Sequence, residues 1–421
     1  MGEVDATMRN WAGNVTFLAA RVTRPDSVDA LCSVVRSARR VRALGTGHSF
    51  SRVADSDDVL VSVAGLPAEV EVDPAAGTAR VSAGLRWGEI APRLHADGLA
   101  VHTLGSLPHI SVAGSVSTGT HGSGDRHGCL ATAVSALELV TADGEVREIR
   151  RGDADFPGSV VALGALGILT HVTLALVPTY DVEQTVLEGL PFDVAVEHLD
   201  AVMGSASSVS LFTTWRGAGV EQVWVKRRVG DPATELAWTG ASEADGARHP
   251  VPGADPAHCT GQGGVVGVWY ERVPHFRLDF TPSSGEELQS EYLLAREHGP
   301  AALRAVDAIR DVVAPVLQVS EIRTVAGDDL WLSPAYGRDS LAVHFTWVAD
   351  TERVRPAVQA VEGVLAAFDA RPHWGKVFTT DPARVAALYP RMDDVRRLLV
   401  EHDPRGRLRN DFVDRYLGGV D

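Results

Sequence analysis

The chain has 421 residues, 45% of them hydrophobic, with 41 glycines and only 6% aromatic residues. That supplies enough apolar surface for two cores in a loop-rich globular enzyme and excludes a disordered or fibrous chain. The 39 Lys+Arg against 55 Asp+Glu give a net charge of −16, which excludes the basic surface that nucleic-acid binding requires.

The best basic cluster, Lys226-Arg227-Arg228, reads as a solvated strand end. Three cysteines, Cys32, Cys129 and Cys259, are far apart and odd in number. They predict no disulfide framework, a reducing cytoplasmic setting and, with no CxxC pair, no thiolate metal site. Met1-Gly2-Glu3-Val4-Asp5 lacks the charged and apolar regions of a secretory signal.

In chain order, Pro25-Asp26-Ser27 caps a helix whose apolar positions are Val28, Leu31, Val34, Val35 and Ala38. A strand over 41–44 runs into a glycine turn at Gly45, and strands follow over 59–63, 70–72 and 79–83. A helix from Trp87 to Asp97 ends at Gly98, and a hairpin joins 136–141 to 146–149. The run from Gly158 to Pro178 is apolar enough to suggest a membrane span. The Gly164-Ala165-Leu166-Gly167 break instead predicts two buried segments around a turn, and no membrane association.

Near Pro178 the pattern changes to alternating strands, predicted over 209–216, 222–227, 276–280, 321–325 and 341–348. Helices are predicted over 285–298 continuing into 300–313, and over 353–368; 229–265 reads as loop. The fold class is therefore α+β.

Two glycine-rich segments carry the chemistry. Gly45-Thr46-Gly47-His48-Ser49-Phe50 follows a strand directly, and Gly114 to Gly124 holds four glycines among Ser115, Ser117, Thr118 and Thr120. Glycines let backbone N–H groups converge on an anion without Cβ obstruction, and together the two segments suit a pyrophosphate. Neither is a P-loop or a complete dinucleotide fingerprint, since position 50 is Phe.

On the later strands, residues i and i+2 share a face. Leu341, Val343, Phe345 and Trp347 form one apolar face, with His344 and Thr346 on the other; Glu321 and Arg323 share a face with Ile322 turned away. Taken alone, each polar pair reads as a solvated sheet face, with Glu321 and Arg323 an ordinary ion pair.

Arg42 to Phe50 resembles the first pyrophosphate loop of the vanillyl-alcohol-oxidase-type FAD flavoproteins, and Gly105-Ser106-Leu107-Pro108-His109 through Gly124 resembles their second. Within them the likeness is greatest to the alditol (xylitol) oxidases. It extends through Asn10-Trp11-Ala12-Gly13-Asn14, Thr281-Pro282-Ser283-Ser284-Gly285, Trp331 to Arg338, and Arg371-Pro372-His373-Trp374-Gly375-Lys376. The resemblance implies a two-part FAD-binding domain over 1–178, an antiparallel-sheet cap over 179–374 that binds substrate, and a segment over 375–421 that returns to the FAD domain.

The same resemblance implies FAD bonded covalently through His48. It also implies cofactor contacts from Ala43, Leu44, Gly45, Thr46, Gly47, Ser49, Gly105, Ser106, Ser111, Gly114, Thr118, Gly119, Thr120, His121 and Leu169. The implied substrate contacts are Ser106, Glu321, Arg323, His344, Thr346 and Lys376. That set mixes donors and acceptors as a polyol requires. Arg323 and Lys376 would stabilise a developing alkoxide, Glu321 would accept hydroxyls, and His344 is the candidate base because its pKa lies nearest neutral. His102, His109, His121 and His127 lie in loops without zinc-motif spacing and read as loop or flavin-pocket residues, not metal ligands.

The implied activity is oxidation of a linear polyol's terminal alcohol to the aldose, with O2 reduced to H2O2. Gly105 leaves a path for oxygen. The alternative is an aldonolactone oxidase or dehydrogenase of the same superfamily. A monomer is compatible with these readings.

Overall fold

The computed structural model describes residues 8–279 and 286–418. The start of the chain, Phe280, and the Thr281–Gly285 motif with its predicted helix start lie outside the described residues.

The first part builds the floor under the glycine loops. Ser27 Oγ accepts from Ala30 N–H at 3.3 Å and starts the helix Val28–Ser37, which buries Leu31, Cys32 and Val35. The strands Arg21–Thr23, Val59–Val61 and Val41–Ala43 form a small parallel sheet, and the last delivers the chain into Gly45. A five-stranded antiparallel sheet follows, in the order Val70–Asp73, Thr78–Ser82, Ile168–Ala175, Val134–Val140, Val146–Arg150. The apolar run 158–178 resolves as expected into buried pieces around a turn at Leu163 and Gly164, both with positive φ, followed by the strand Ile168–Ala175. Among the described residues no helix is long and apolar enough to cross a membrane.

The later part is a nine-stranded antiparallel sheet among the described residues. Its centre runs Gly219–Arg228, Ser208–Thr213, Leu317–Val325, Ser340–Val348, Glu287–Ala295. One face buries Tyr292, Ile322, Val343, Phe345 and Trp347 against the helices Gly299–Asp307 and Thr351–Leu365. Buried tryptophans find polar partners there: Trp347 Nε1 donates to Ser290 Oγ at 2.6 Å and Trp215 Nε1 to Ser320 Oγ at 2.8 Å.

Two sequence expectations fail. The stretch 285–298, rich in helix formers, is the strand Glu287–Ala295, paired with Ser340–Val348 along its whole length. Tertiary pairing overrides propensity there, and the alternation of Glu287, Gln289 and Glu291 with Leu288, Ser290 and Tyr292 was the signal. Of the strand predicted over 276–280, the described residues 276–279 are instead a loop. The N–H groups of His275 and Phe276 donate across to the Ser106 carbonyl, and only Phe276 bridges a neighbour, Cys259.

The chain then returns to its beginning. The helices Pro382–Ala387, Met392–His402 and Asp411–Leu417 pack into the same core as the first two small sheets. Arg42 ties this return together. Its guanidinium is fully buried and donates to four backbone carbonyls, Gly164 at 3.0 Å and Leu408, Val53 and Leu163 at 2.5 Å. Burial draws its pKa down to about 10, against the pull of Asp403 and Asp414. Arg42→Met orphans four acceptors, three of them in fully buried hydrogen bonds at ~1–3 kcal/mol each, so the urea midpoint should fall by the equivalent of at least ~3 kcal/mol. An unchanged midpoint would show that the carbonyls find other donors.

Candidate functional site

Both glycine loops and the polar face of the large sheet line one cavity of about 430 Å³. On the loop side lie Ala43 through Ser49, Gly105, Ser106, Ser111, Gly114, Thr118, Thr120, His121 and Leu169. The two loops approach so closely that a Cβ at Gly45 would meet Ser111 Oγ at 2.5 Å, and one at Gly114 would meet it at 2.9 Å. Only glycine permits this cradle. Gly119 is the exception among the expected cofactor contacts. It ends the helix Val112–Thr118 with φ 72°, faces Pro334 and does not line the cavity.

Asn10 and Asn14 hold the first loop from behind. Their amides donate to the carbonyls of Ser49 and Phe50, each at 2.9 Å, and Trp11 N–H donates to Gly47 O at 2.8 Å. The His48 ring lies 5.1 Å from the Trp11 ring. Its Nδ1 is buried and has no hydrogen-bond partner among the described residues. Burial, then His109 and Lys376, pull its pKa down to about 4, so the imidazole is neutral and its ring nitrogen available. A glycine cradle that side chains would fill, together with an orphaned neutral imidazole on its wall, fits FAD.

On the sheet side, register aligns the charged groups. Glu321 and Glu291 both pair with His344, one from each flanking strand, and Gln289 pairs with Thr346. Arg323 sits between two carboxylates, with Nη2 2.5 Å from Glu291 Oε1 and Nε 3.6 Å from Glu321 Oε2. His344 Nδ1 lies 3.5 Å from Glu291 Oε2, and its Nε2 lies 3.3 Å from Thr346 Oγ1. Lys376 Nζ donates to Gln289 Oε1. Burial alone would raise both glutamates, but Arg323 and the neighbouring histidines outweigh it and hold both below the usual carboxylate range. Burial lowers His344, against the pull of Glu291, and lowers Lys376 as well. Two permanent anions thus flank one permanent cation, beside two bases weakened towards neutrality.

The expected residues Glu321, Arg323, His344, Thr346, Lys376 and Ser106 all line this cavity. The sequence reading missed Glu291, hidden in the supposed helix, and Gln289 beside it. It also missed His373, whose Nδ1 accepts from Gly375 N–H at 3.1 Å, and His275, whose Nε2 lies 2.7 Å from Glu321 Oε1.

The basic run 226–228 is corrected too, because none of its members is a free solvated end. Lys226 is 1% exposed and donates to His275 Nδ1; Arg227 pairs with Glu183, and Arg228 stacks 3.7 Å over Tyr180. Outward alternation on Gly219–Arg228 would have signalled it, since Lys226 falls in line with Trp224 and Gln222, which are also buried.

The buried histidines make stability depend on pH. Burial lowers His275 to about 4 and His373 to about 3, from an ordinary 6.5. The unfolded chain therefore binds more protons than the folded one below 6.5. Their stabilisation is complete above that value and shrinks as pH falls towards the folded values, by up to ~1.4 kcal/mol per pH unit for each group. Urea midpoints should decline as pH falls from 6.5 to 5. A midpoint that rises on acidification would contradict the neutral assignment.

The sequence pattern of the FAD binding domain family matches residues 19–150, and that of the D-arabinono-1,4-lactone oxidase family matches 285–416. These spans hold the glycine loops and the two strands bearing Glu321 and His344. Crystallised cholesterol oxidase from B. sterolicum shares the fold, with a TM-score of 0.77 over 98% of this chain and 96% of that one, at 14% identity. L-Gulono-1,4-lactone dehydrogenase of Mycobacterium tuberculosis is 28% identical over 97% of this chain and 98% of its own. Alditol oxidase of a Streptomyces species is 52% identical over 99% of this chain and the whole of its own. At that identity, end to end and with an FAD-binding domain pattern over the first loop cradle, the chain belongs to the alditol oxidase family of FAD-binding oxidases.

Proposed function

We propose that the protein oxidises the terminal alcohol of linear polyols such as xylitol and sorbitol to the aldose, reducing O2 to H2O2. The observation that carries this reading is the row Glu291, His344, Glu321 with Arg323 between the acids, set in the same cavity as the FAD cradle. FAD bound there supplies the two-electron acceptor that oxygen regenerates. We assign residues 1–178 and 375–421 to the FAD-binding part and 179–374 to the cap.

The chain's own residues handle the hydroxyls and the proton. Arg323 and Lys376 donate to the reacting oxygen and stabilise its developing negative charge. His344, lowered by burial and uncharged, accepts the hydroxyl proton, and the resulting cation lies beside Glu291. Glu321 and Thr346 hold the farther hydroxyls, and Ser106 closes the loop side. His48 would be the residue that holds the flavin covalently, through its free ring nitrogen; the orphaned Nδ1 and the depressed pKa support this.

Each additional hydroxyl that finds a partner contributes ~0.5–1.5 kcal/mol. Efficiency, read as peroxide release, should therefore rise from ethanol to glycerol to xylitol and sorbitol. Lys376→Met and Arg323→Met should depress kcat, whereas Thr346→Ala should mainly raise KM for the longer polyols. The match to the lactone oxidase pattern favours a second reading. Higher efficiency on L-gulono-1,4-lactone than on xylitol would install it in place of the first.

Wild-type protein denatured in detergent should keep flavin fluorescence on the polypeptide band, and His48→Ala should lose it. Flavin released from the wild type by acid would refute the covalent bond. For oxygen, a Cβ at Gly105 would lie 3.4 Å from Thr120 Cγ2, so alanine fits and larger side chains crowd the cavity. Gly105→Val should slow reoxidation by O2 while sparing anaerobic bleaching by xylitol. Equal reoxidation rates in the two proteins would remove Gly105 from the oxygen path.

A further inference from the structure

Lys226 is a buried cation that the proposed chemistry leaves unused. It lies behind the cavity wall, 1% exposed, on the strand Gly219–Arg228. An ammonium has three N–H donors and no lone pair. Its Nζ finds three acceptors: Val273 O at 2.6 Å, Pro274 O at 3.1 Å and His275 Nδ1 at 3.0 Å. Burial draws the Lys226 pKa down to about 7, against the pull of Glu321; in its ammonium form the group can only donate, so His275 Nδ1 then accepts and carries no proton. The imidazole's proton then sits on Nε2 and is donated to Glu321 Oε1 at 2.7 Å.

The ring has little freedom to do otherwise. Phe212 and Trp224 stand edge-on to it at 5.5 and 5.1 Å, and its own backbone N–H is held by Ser106 O at 3.0 Å.

We propose that Lys226 is a positioning residue for substrate binding: by fixing the tautomer of His275, it holds Glu321 as an oriented, acceptor-only carboxylate towards the polyol hydroxyls. Without the ammonium, the ring is free to protonate on Nδ1 towards the Pro274 carbonyl. Nε2 then presents a lone pair to the Glu321 carboxylate, and the carboxylate turns away or takes up a proton. Either change removes an acceptor from the cavity. The inference rests on the reading of Glu321 as a polyol contact. It adds two residues, on a different strand and a loop, to what determines that contact.

Lys226→Met, His275→Gln and the double variant test it, each first checked for FAD content and a cooperative melt. Loss of an oriented hydrogen bond to a charged group should raise the xylitol KM of Lys226→Met about 10-fold or more, with a smaller fall in kcat. Glutamine has no tautomer to fix, and facing an acceptor-only carboxylate it settles in the one flip that donates its amide N–H to Glu321. Lys226→Met should therefore add little to the KM of His275→Gln. An unchanged KM in a folded, flavin-loaded Lys226→Met overturns the inference. So does an equal effect in both backgrounds, which would mark a general structural role.

Should Lys226→Met fail to fold, nitrogen-15 histidine spectra of the wild-type holoenzyme decide. His275 protonated on Nε2 alone supports the inference, and a proton on Nδ1 overturns it. Failure of the polyol reading shows separately, as wild-type enzyme that does not oxidise xylitol. The tautomer measurement then judges the wiring by itself.

Discussion

The buried guanidinium of Arg323 between Glu291 and Glu321 is the interaction on which the site depends. Three full charges sit in the interior, and each would be costly alone. Their mutual attraction offsets desolvation only while the geometry holds. That geometry is set by three neighbouring strands in one register, with Glu291, His344 and Glu321 abreast. A one-residue slip would send the whole polar row into the apolar face where Tyr292, Val343 and Ile322 now pack. The aromatic and aliphatic side of the sheet therefore specifies the polar side without touching it.

The cluster also joins the cap to the flavin cradle. Arg323 approaches the His121 carbonyl at 3.4 Å, and His121 Nε2 lies 3.2 Å from Glu291 Oε1. Further along the second loop, Gly124 N–H donates to Thr324 O at 2.9 Å, and Thr324 Oγ1 donates to Asp125 at 2.8 Å. On the other wall, Phe50 N–H donates to Gly375 O and Ser51 Oγ to Trp374 O, both at 2.7 Å, which seats Lys376 against the first loop. Cofactor loops and substrate groups thus share the same hydrogen bonds. A substitution that loosens the cap is expected to disturb the cradle as well.

Much of this was legible in the sequence because local rules and tertiary demands agreed. The Ser27 cap, the glycine loop after a strand and the i, i+2 polar pairs at 321/323 and 344/346 each follow from short-range chemistry. What was not legible depended on partners distant in sequence. Glu287–Ala295 is a strand because Ser340–Val348 pairs with it, although its own residues favour a helix, so Glu291 was lost with it. Lys226 looked like surface because two arginines follow it. Its burial is fixed by His275, 49 residues away. His275 in turn sits in a segment whose backbone donors serve Ser106 rather than a sheet, against its strand-like composition.

The arrangement also bears on why two weakened bases stand beside two strengthened acids. Counting Glu291, Glu321 and Arg323 as charged leaves one net negative charge, to which a protonated Lys376 would bring balance. Burial lowers Lys376 and His344 for the same reason, but their surroundings differ: Glu291 faces His344 directly, whereas Lys376 donates to the uncharged Gln289. In the proposed reaction, a proton passing from the alcohol to His344 would arrive 3.5 Å from a carboxylate that stabilises it, whereas Lys376 would donate. Environment, rather than residue type, separates the two roles, as it does whenever paired titratable groups divide acid and base work.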